Sequence, residues 1–283
     1  MVNVLILGMD SDSGQAIAAA ADRRIGVNGL RFTNRPDSSR AACPSVTSER
    51  LIESASQADV LVFCGGAARS SWDESFGSFD EETQWLSECL AVCRKSNCRM
   101  VYISSDAVFS GPQVFHDDDS SSIPLNRIPA DLLKWELAVS RVPGSLIVRT
   151  NVINQSPNGF LSSVIGSLEN GRTCTVPSSD FATPIAAETF ADLLLKCVAA
   201  ELSGVVNIGG SERTTAFHLA AQVARGLNLP VELLVPEPRS KCTERSLRCD
   251  RLRRELNIFA PDLKQTVECL LTSDLRPIEL SAA

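Results

Sequence analysis

The sequence predicts an α/β fold, a Rossmann-like doubly wound parallel sheet with a smaller C-terminal lobe interleaved with it. Three observations predict it. Short apolar runs at 2–7, 59–63, 99–104 and 145–149 alternate with helix-period segments at 15–24, 49–56, 81–95 and 132–141, the rhythm that consecutive βαβ units impose. The first run ends in a glycine turn that opens an alanine-rich helix. From Asn151 onward the elements become shorter and the rhythm changes. A division into a main domain, 1–150, and a smaller lobe, 151–283, is therefore expected.

Each element has its own reason. Residues 2–7 are apolar at nearly every position, as in a strand buried on both faces. The helix 15–24 follows, then a second strand at 30–33, a helix at 49–56 and a buried strand at 59–63 that enters a Gly65-Gly66 turn. Trp85, Leu86, Leu90 and Val92 form much of the apolar face of the helix 81–95. The strand 99–104 leads into a loop rich in Asp and Ser at 117–122, then the helix 132–141 and the strand 145–149. In the second half, helices are expected at 160–169, 186–200, 216–226 and 248–256, with a strand at 204–208 and a frayed tail at 279–283.

Composition narrows the function classes. With 283 residues and 44% hydrophobic content the chain can bury a full core. Its net charge of -7 offers no basic field for nucleic acid or an anionic membrane. Residues 1–8 have no basic leader character and run into Asp10 and Asp12, and no apolar run reaches membrane-spanning length, so a soluble cytoplasmic protein is expected. The ten cysteines are scattered without paired spacing and read as reduced and mostly buried. Cys89, Cys93 and Cys98 form the closest cluster, but there is no CxxC and the two histidines, His116 and His218, lie far off, so no metal site is expected.

The turn Gly8-Met9-Asp10-Ser11-Asp12-Ser13-Gly14 has the span of a GxxGxxG dinucleotide turn with Ser11 in place of the middle glycine. Gly8 would permit the tight turn after the strand, and Gly14 would let the helix pack closely and aim its amides at a pyrophosphate. The cofactor expected is NADP(H) or NAD(H). Asp10 and Asp12 would repel a pyrophosphate unless directed to solvent, and Asp12 or Ser13 can equally be read as plain helix caps. Beyond the second strand, Asn34 and Arg35 stand where a base would meet an adenosine 2′-phosphate, which favours NADP.

Six segments in order then resemble the dTDP-4-dehydrorhamnose reductase family of the extended short-chain dehydrogenases. Asp59-Val-Leu-Val-Phe-Cys-Gly-Gly-Ala67 resembles the stretch beside the nicotinamide ribose, and Val101-Tyr-Ile-Ser-Ser-Asp-Ala-Val-Phe-Ser-Gly111 resembles "VYISTDYVFDG". Val148-Arg-Thr150, Ser179-Asp-Phe-Ala-Thr-Pro184, Gly204-Val-Val-Asn-Ile-Gly-Gly210 and Ser246-Leu-Arg-Cys-Asp250 resemble four further signatures of the family. The resemblance implies a Rossmann fold, NAD(P)(H), and reduction of a nucleotide-linked 4-keto sugar or other carbonyl substrate. It assigns Ser105 to polarise the carbonyl, Lys134 to the catalytic lysine that also holds the ribose, and Ser104, Cys64, Gly65, Gly66 and Ala67 to the cofactor's border.

The same resemblance marks two departures. Ala130 stands where the family has its proton-donating tyrosine, and a shifted alignment puts Ile128 there instead; neither supplies an acid. Tyr102 shares its alternation with Ser104 and points away from Ser105, while Asp131 could substitute only if burial raised its pKa. On the substrate side, Arg149-Thr-Asn-Val-Ile-Asn154 lacks the family's aromatic residues. Three readings follow: a reductase with residual or altered activity, a catalytically silent regulatory subunit similar to the methionine adenosyltransferase β subunit, or an enzyme with another acid. A homodimer or a partner enzyme is compatible with each.

Overall fold

In a computed structural model of the chain, the described residues are 2–8, 11–23, 27–32, 48–73, 76, 83–124, 127–154, 159–238 and 240–272. Met9, Asp10, Asn34, Arg35, Leu125, Asn126 and the tail 279–283 lie outside them. The main sheet contains β1 (Val2–Leu7), β2 (Val27–Phe32), β3 (Val60–Phe63), β4 (Arg99–Ile103) and β5 (Leu146–Arg149). Helices α1 (Asp12–Asp22), α2 (Ser48–Gln57), α3 (Thr83–Ser96) and α4 (Arg127–Val139) connect them.

The second half contributes β6 (Val152–Ile153), α5 (Phe160–Glu169), β7 (Cys174–Pro177), β8 (Asp180–Ala182), β9 (Ile185–Ala186), α6 (Ala187–Ala199) and β10 (Gly204–Asn207). It continues with β11 (Thr214–Thr215), α7 (Ala216–Gly226), β12 (Leu234–Glu237), β13 (Thr243–Glu244), α8 (Asp250–Leu256) and α9 (Leu263–Thr272). The sheet order is β10-β5-β4-β3-β1-β2, with every pairing parallel. The chain winds one way from β1 to β2 and the other way from β3 onward, so the switch point lies between β1 and β3. β10 pairs with β5, which places a strand of the second half in the main sheet.

Strand alternation divides the core between the two faces of this sheet. Val4 and Ile6 of β1, with Val101 and Ile103 of β4, pack into one cluster with α1 and α6. Leu5, Leu7, Met100 and Tyr102 pack into the other, against α2, α3 and α4. Both faces are covered, which explains why the strands read as continuous apolar runs. The lobe has its own clusters, one joining α5, α7 and β12 and another joining α7 and α9. Arg251 of α8 covers the outer edge of β10 by donating to the carbonyls of Ser203 at 2.9 Å and Val205 at 2.7 Å.

The doubly wound class is the one expected; several boundaries are not. β2 begins at Val27 rather than residue 30, and α4 begins at Arg127 rather than 132. Pro129 sits in its first turn, where a missing N–H breaks no helical bond. α9 and the short lobe strands have no counterpart in the expectation; for the strands, two to four residues carry too little periodicity to read. No helix among the described residues is long and apolar enough to cross a membrane.

One buried network fastens α4 to the sheet. Arg149, at the end of β5, forms a forked pair with Glu136 of α4, its Nη2 2.8 Å and its Nε 3.1 and 3.3 Å from the carboxylate oxygens. Ser104 donates to the same carboxylate at 2.7 Å. Both charged side chains are under a tenth exposed, so removing one leaves the other as an uncompensated buried charge. Glu136→Ala should lower the free energy of unfolding in urea by about 3–5 kcal/mol, and Glu136→Gln, which keeps hydrogen-bonding capacity, should lower it less.

Candidate functional site

The turn after β1 is built on glycine sterics and closed by a serine. Gly8 has a φ of +98°, and a Cβ there would lie 1.9 Å from the carbonyl oxygen of Cys64. A Cβ on Gly14 would lie 2.2 Å from the carbonyl oxygen of Gly8. These two residues therefore let the end of β1 and the start of α1 approach each other and the end of β3. Ser11 caps α1: its hydroxyl accepts from the Gly14 amide at 3.0 Å and donates to the Gly8 carbonyl at 2.6 Å. Ser13 donates to the Ala68 carbonyl at 2.5 Å, tying α1 to the turn Gly66–Ala68. Gly8, Ser11, Ser13 and Gly14 thus meet the segment Cys64 to Ala67, with Asp12 half-buried at the first helical position. The consequence is that Ser11 occupies an amide that an anion would otherwise use.

Beyond β4 the predicted reaction residues separate. Ser104 faces Glu136 rather than open space. Ser105 is fully buried; its hydroxyl accepts from the Ala107 amide at 3.1 Å and donates to Asp106 Oδ1 at 3.2 Å. On α4, Ala130 and Lys134 are exposed, and the Lys134 ammonium lies 5.4 Å from the centre of the Trp135 ring. Asp131 forms a surface pair with Arg127 at 3.1 Å, and Ile128 packs on the core beneath. Tyr102 is buried with its ring 6.3 Å from that of Phe63. His116 stacks on Phe109 with ring centres 3.8 Å apart, while His218 sits in the first turn of α7 above its Thr215 cap. Cys89, Cys93 and Cys98 are buried, and burial pushes the Cys89 thiol up. Among the described residues no group of three or more His, Cys, Asp or Glu side chains is arranged to hold a metal.

The centre that the sequence reading missed is Asp106. It is fully buried, and its amide bonds the Thr150 carbonyl at 2.9 Å. Burial pushes its pKa up to about 6, against the opposing pull of Arg245, Ser71, Ser105 and Asn151. Its Oδ2, the Ser71 hydroxyl, the Asn151 side-chain nitrogen and Arg245 Nε are all buried without a hydrogen bond of good geometry. Ser70 holds the other end of Asn151 at 2.8 Å, and Arg245 reaches the Ser71 carbonyl at 3.4 Å. Ends of β3, β4 and β5 and the segment after β13 therefore meet at one carboxyl. Asp106 adjoins Ser105 in the very segment that carries the resemblance, so its position was a readable signal; Arg245 and Ser71 come from too far away in the chain. A separate cavity of about 660 Å³, lined by Asp118, Ser120, Arg149, Arg251 and Arg254 among others, shares no lining residue with this centre.

The Asp106 pKa carries a sign that can be measured. Its native value of about 6 lies above the ordinary 3.8, so the folded state binds the proton more tightly. The ionised form then costs stability at neutral pH, and that cost fades as pH falls through 6. Relative to Asp106→Asn, the wild type should gain roughly 1 kcal/mol by about pH 5 and about 3 kcal/mol below the unfolded value. Asp73 and Asp118, also raised by burial, act in the same direction and His116, lowered by burial, in the opposite one. All three cancel in the comparison of the two proteins by urea denaturation.

The fold is shared with solved sugar-nucleotide enzymes. A dTDP-4-dehydrorhamnose reductase from Bacillus anthracis, solved in complex with NADP, superposes with a TM-score of 0.77 at 15% identity, covering 95% of this chain and 98% of that one. A dTDP-4-dehydrorhamnose reductase from Clostridium acetobutylicum gives 0.77 at 16% identity, over 94% and 97%. A dTDP-glucose 4,6-dehydratase from Bacillus anthracis, solved with NAD, gives 0.78 at 12% identity, over 96% of each. No curated protein sequence matches the chain. The family model described as the RmlD substrate binding domain matches residues 2–271, nearly the whole length, and the chain belongs to that family.

Proposed function

We propose that this chain binds NAD(P)(H) in the crevice beyond β1 and β3 and takes a nucleotide-linked carbonyl compound, of the 4-keto sugar class, beside Ser105. The observation that carries this reading is the close-packed glycine turn at the switch point, where a Cβ on Gly8 or Gly14 would strike backbone. Doubly wound sheets take their ligands at that place. The residues present fit the group: Gly8, Ser11, Ser13 and Gly14 would border the pyrophosphate, and Cys64, Gly65, Gly66 and Ala67 the nicotinamide ribose. When bound, the reduced nicotinamide supplies a hydride. The Ser105 hydroxyl would polarise the carbonyl oxygen, and Lys134 on the exposed face of α4 would offer its ammonium to the ribose. Asn34 and Arg35 remain the proposed contacts for a 2′-phosphate.

The second reading is a silent regulatory subunit that holds the cofactor without turnover. Two observations favour it: an exposed alanine at position 130, and a Ser105 hydroxyl whose bonds all close within its own turn.

Fluorescence titration with NADPH and NADH tests the cofactor site directly. Saturable binding is expected, and Ser11→Gly, which frees the Gly14 amide, should tighten it about fivefold to tenfold at little cost to the helix cap. Binding of neither nucleotide by either protein would sink the reading. With the cofactor bound, Ala130→Tyr should raise NADPH oxidation in the presence of dTDP-4-dehydrorhamnose; a tyrosine variant that binds NADPH yet stays silent would favour the regulatory subunit.

A further inference from the structure

The cofactor reading above leaves carbonyl reduction without a proton source, because the position expected for tyrosine is Ala130. The buried centre contains one. We propose that Asp106, in its protonated form, is the proton source for carbonyl reduction, delivering through Ser105 in place of the missing tyrosine. The inference rests on the proposed function and extends it to a residue and a direction of proton flow.

The Ser105 hydroxyl has one hydrogen to donate and two lone pairs to accept with. The Ala107 amide, 3.1 Å away, fills one lone pair. Asp106 Oδ1 lies at 3.2 Å, and while Asp106 is ionised it can only accept, so the serine hydrogen turns inward. Protonation of Oδ1 reverses that bond. Ser105 then accepts twice, and its hydrogen is free to be donated to a carbonyl oxygen in place of Asp106.

The surroundings favour a neutral carboxyl that can recharge. Asp106 is fully buried, and the groups facing it are Ser71 after β3, Ser105 on its own loop, Asn151 after β5 and Arg245 after β13. Arg245 is the only charged group among them, and it draws the carboxyl toward ionisation without outweighing burial. Oδ2 has no hydrogen bond of good geometry, and the Ser71 hydroxyl and one nitrogen each of Asn151 and Arg245 are buried and likewise unpartnered, while all three residues act on this carboxyl. Those nitrogens provide for the carboxylate once its proton has left. The step balances: hydride from the reduced nicotinamide forms a C–H bond at the carbonyl carbon, and the C=O π pair moves to oxygen. That oxygen takes the Ser105 proton, and Ser105 takes the proton of Asp106. The products are an alcohol, the oxidised nicotinamide and an Asp106 carboxylate, which must regain a proton before the next turnover.

The test uses wild type, Asp106→Asn and the double variant Asp106→Asn/Ala130→Tyr, with NADPH and dTDP-4-dehydrorhamnose as the probe pair. Wild-type oxidation of NADPH should fall as pH rises through about 6. Asp106→Asn should be ~100-fold slower or worse, should lose that pH dependence and should keep wild-type NADPH binding. The double variant should recover rate, because tyrosine restores an acid. Independently of turnover, infrared difference spectra across the same pH range should show a protonated-carboxyl band in the wild type that is missing in Asp106→Asn. An Asp106→Asn protein as fast as wild type, a wild type that binds NADPH but never oxidises it with the probe, or absence of the carboxyl band would each overturn the assignment. Failure to bind NADPH at all is a separate result, and it would remove the cofactor reading itself.

Discussion

The site depends on the buried pair between Arg149 and Glu136. Two opposite charges under a tenth exposed have few partners to choose from, and here the fork is completed by the Ser104 hydroxyl. Three elements are thereby fixed to one another: β4 through Ser104, β5 through Arg149 and α4 through Glu136. Ser105 and Asp106 follow Ser104 directly, and Thr150 and Asn151 follow Arg149. The backbone bond from Asp106 to Thr150 then locks the two loop starts together. Glu136 stands two residues beyond Lys134 on the same helix, buried where Lys134 is exposed, so the pair also fixes which face of α4 turns to the sheet. A buried ion pair adds little net stability against an apolar alternative; its contribution here is register.

Much of the architecture could be read from the chain because its causes are local. An unbroken apolar strand needs cover on both faces, and the alternation of Val4 and Ile6 against Leu5 and Leu7 divides between two clusters as the double winding requires. The glycines of the first turn were equally legible, since only a missing Cβ fits between Gly8 and Cys64. What Ser11 does was not. Its identity marked a departure from three glycines, but whether a hydroxyl points at a ligand or back at its own helix is decided by a rotamer. α9 was readable yet is missing from the expectation: Leu263, Val267, Leu270 and Leu271 fall at helical spacing, although the partners α7 and β9 that they pack on are far away in sequence.

The reaction centre shows the same limit more sharply. Ser105 and Lys134 could be named from a motif, yet the fold places one under the surface and the other on it. Asp106 gains its character from Ser71, Asn151 and Arg245, three residues from separate parts of the chain, and no short window contains that information. Its raised pKa is a contest between desolvation and a partly exposed guanidinium. Moving Arg245 nearer would return Asp106 to an ordinary carboxylate; moving it away would raise the pKa further.

The last strand of the main sheet has a consequence in time. β10 lies beside β5, but the chain between them must first be synthesised through β6 to β9, α5 and α6. During synthesis the outer rim of β5 has no neighbour until Gly204–Asn207 has emerged, and Arg251 seals the new rim only after α8 follows. A half-made chain therefore presents an open, apolar strand to whatever else is nearby. Truncation before Gly204 would leave that rim uncovered, and it would also remove α6, whose Phe190 and Leu194 share one core cluster with Val4 and Ile6 of β1.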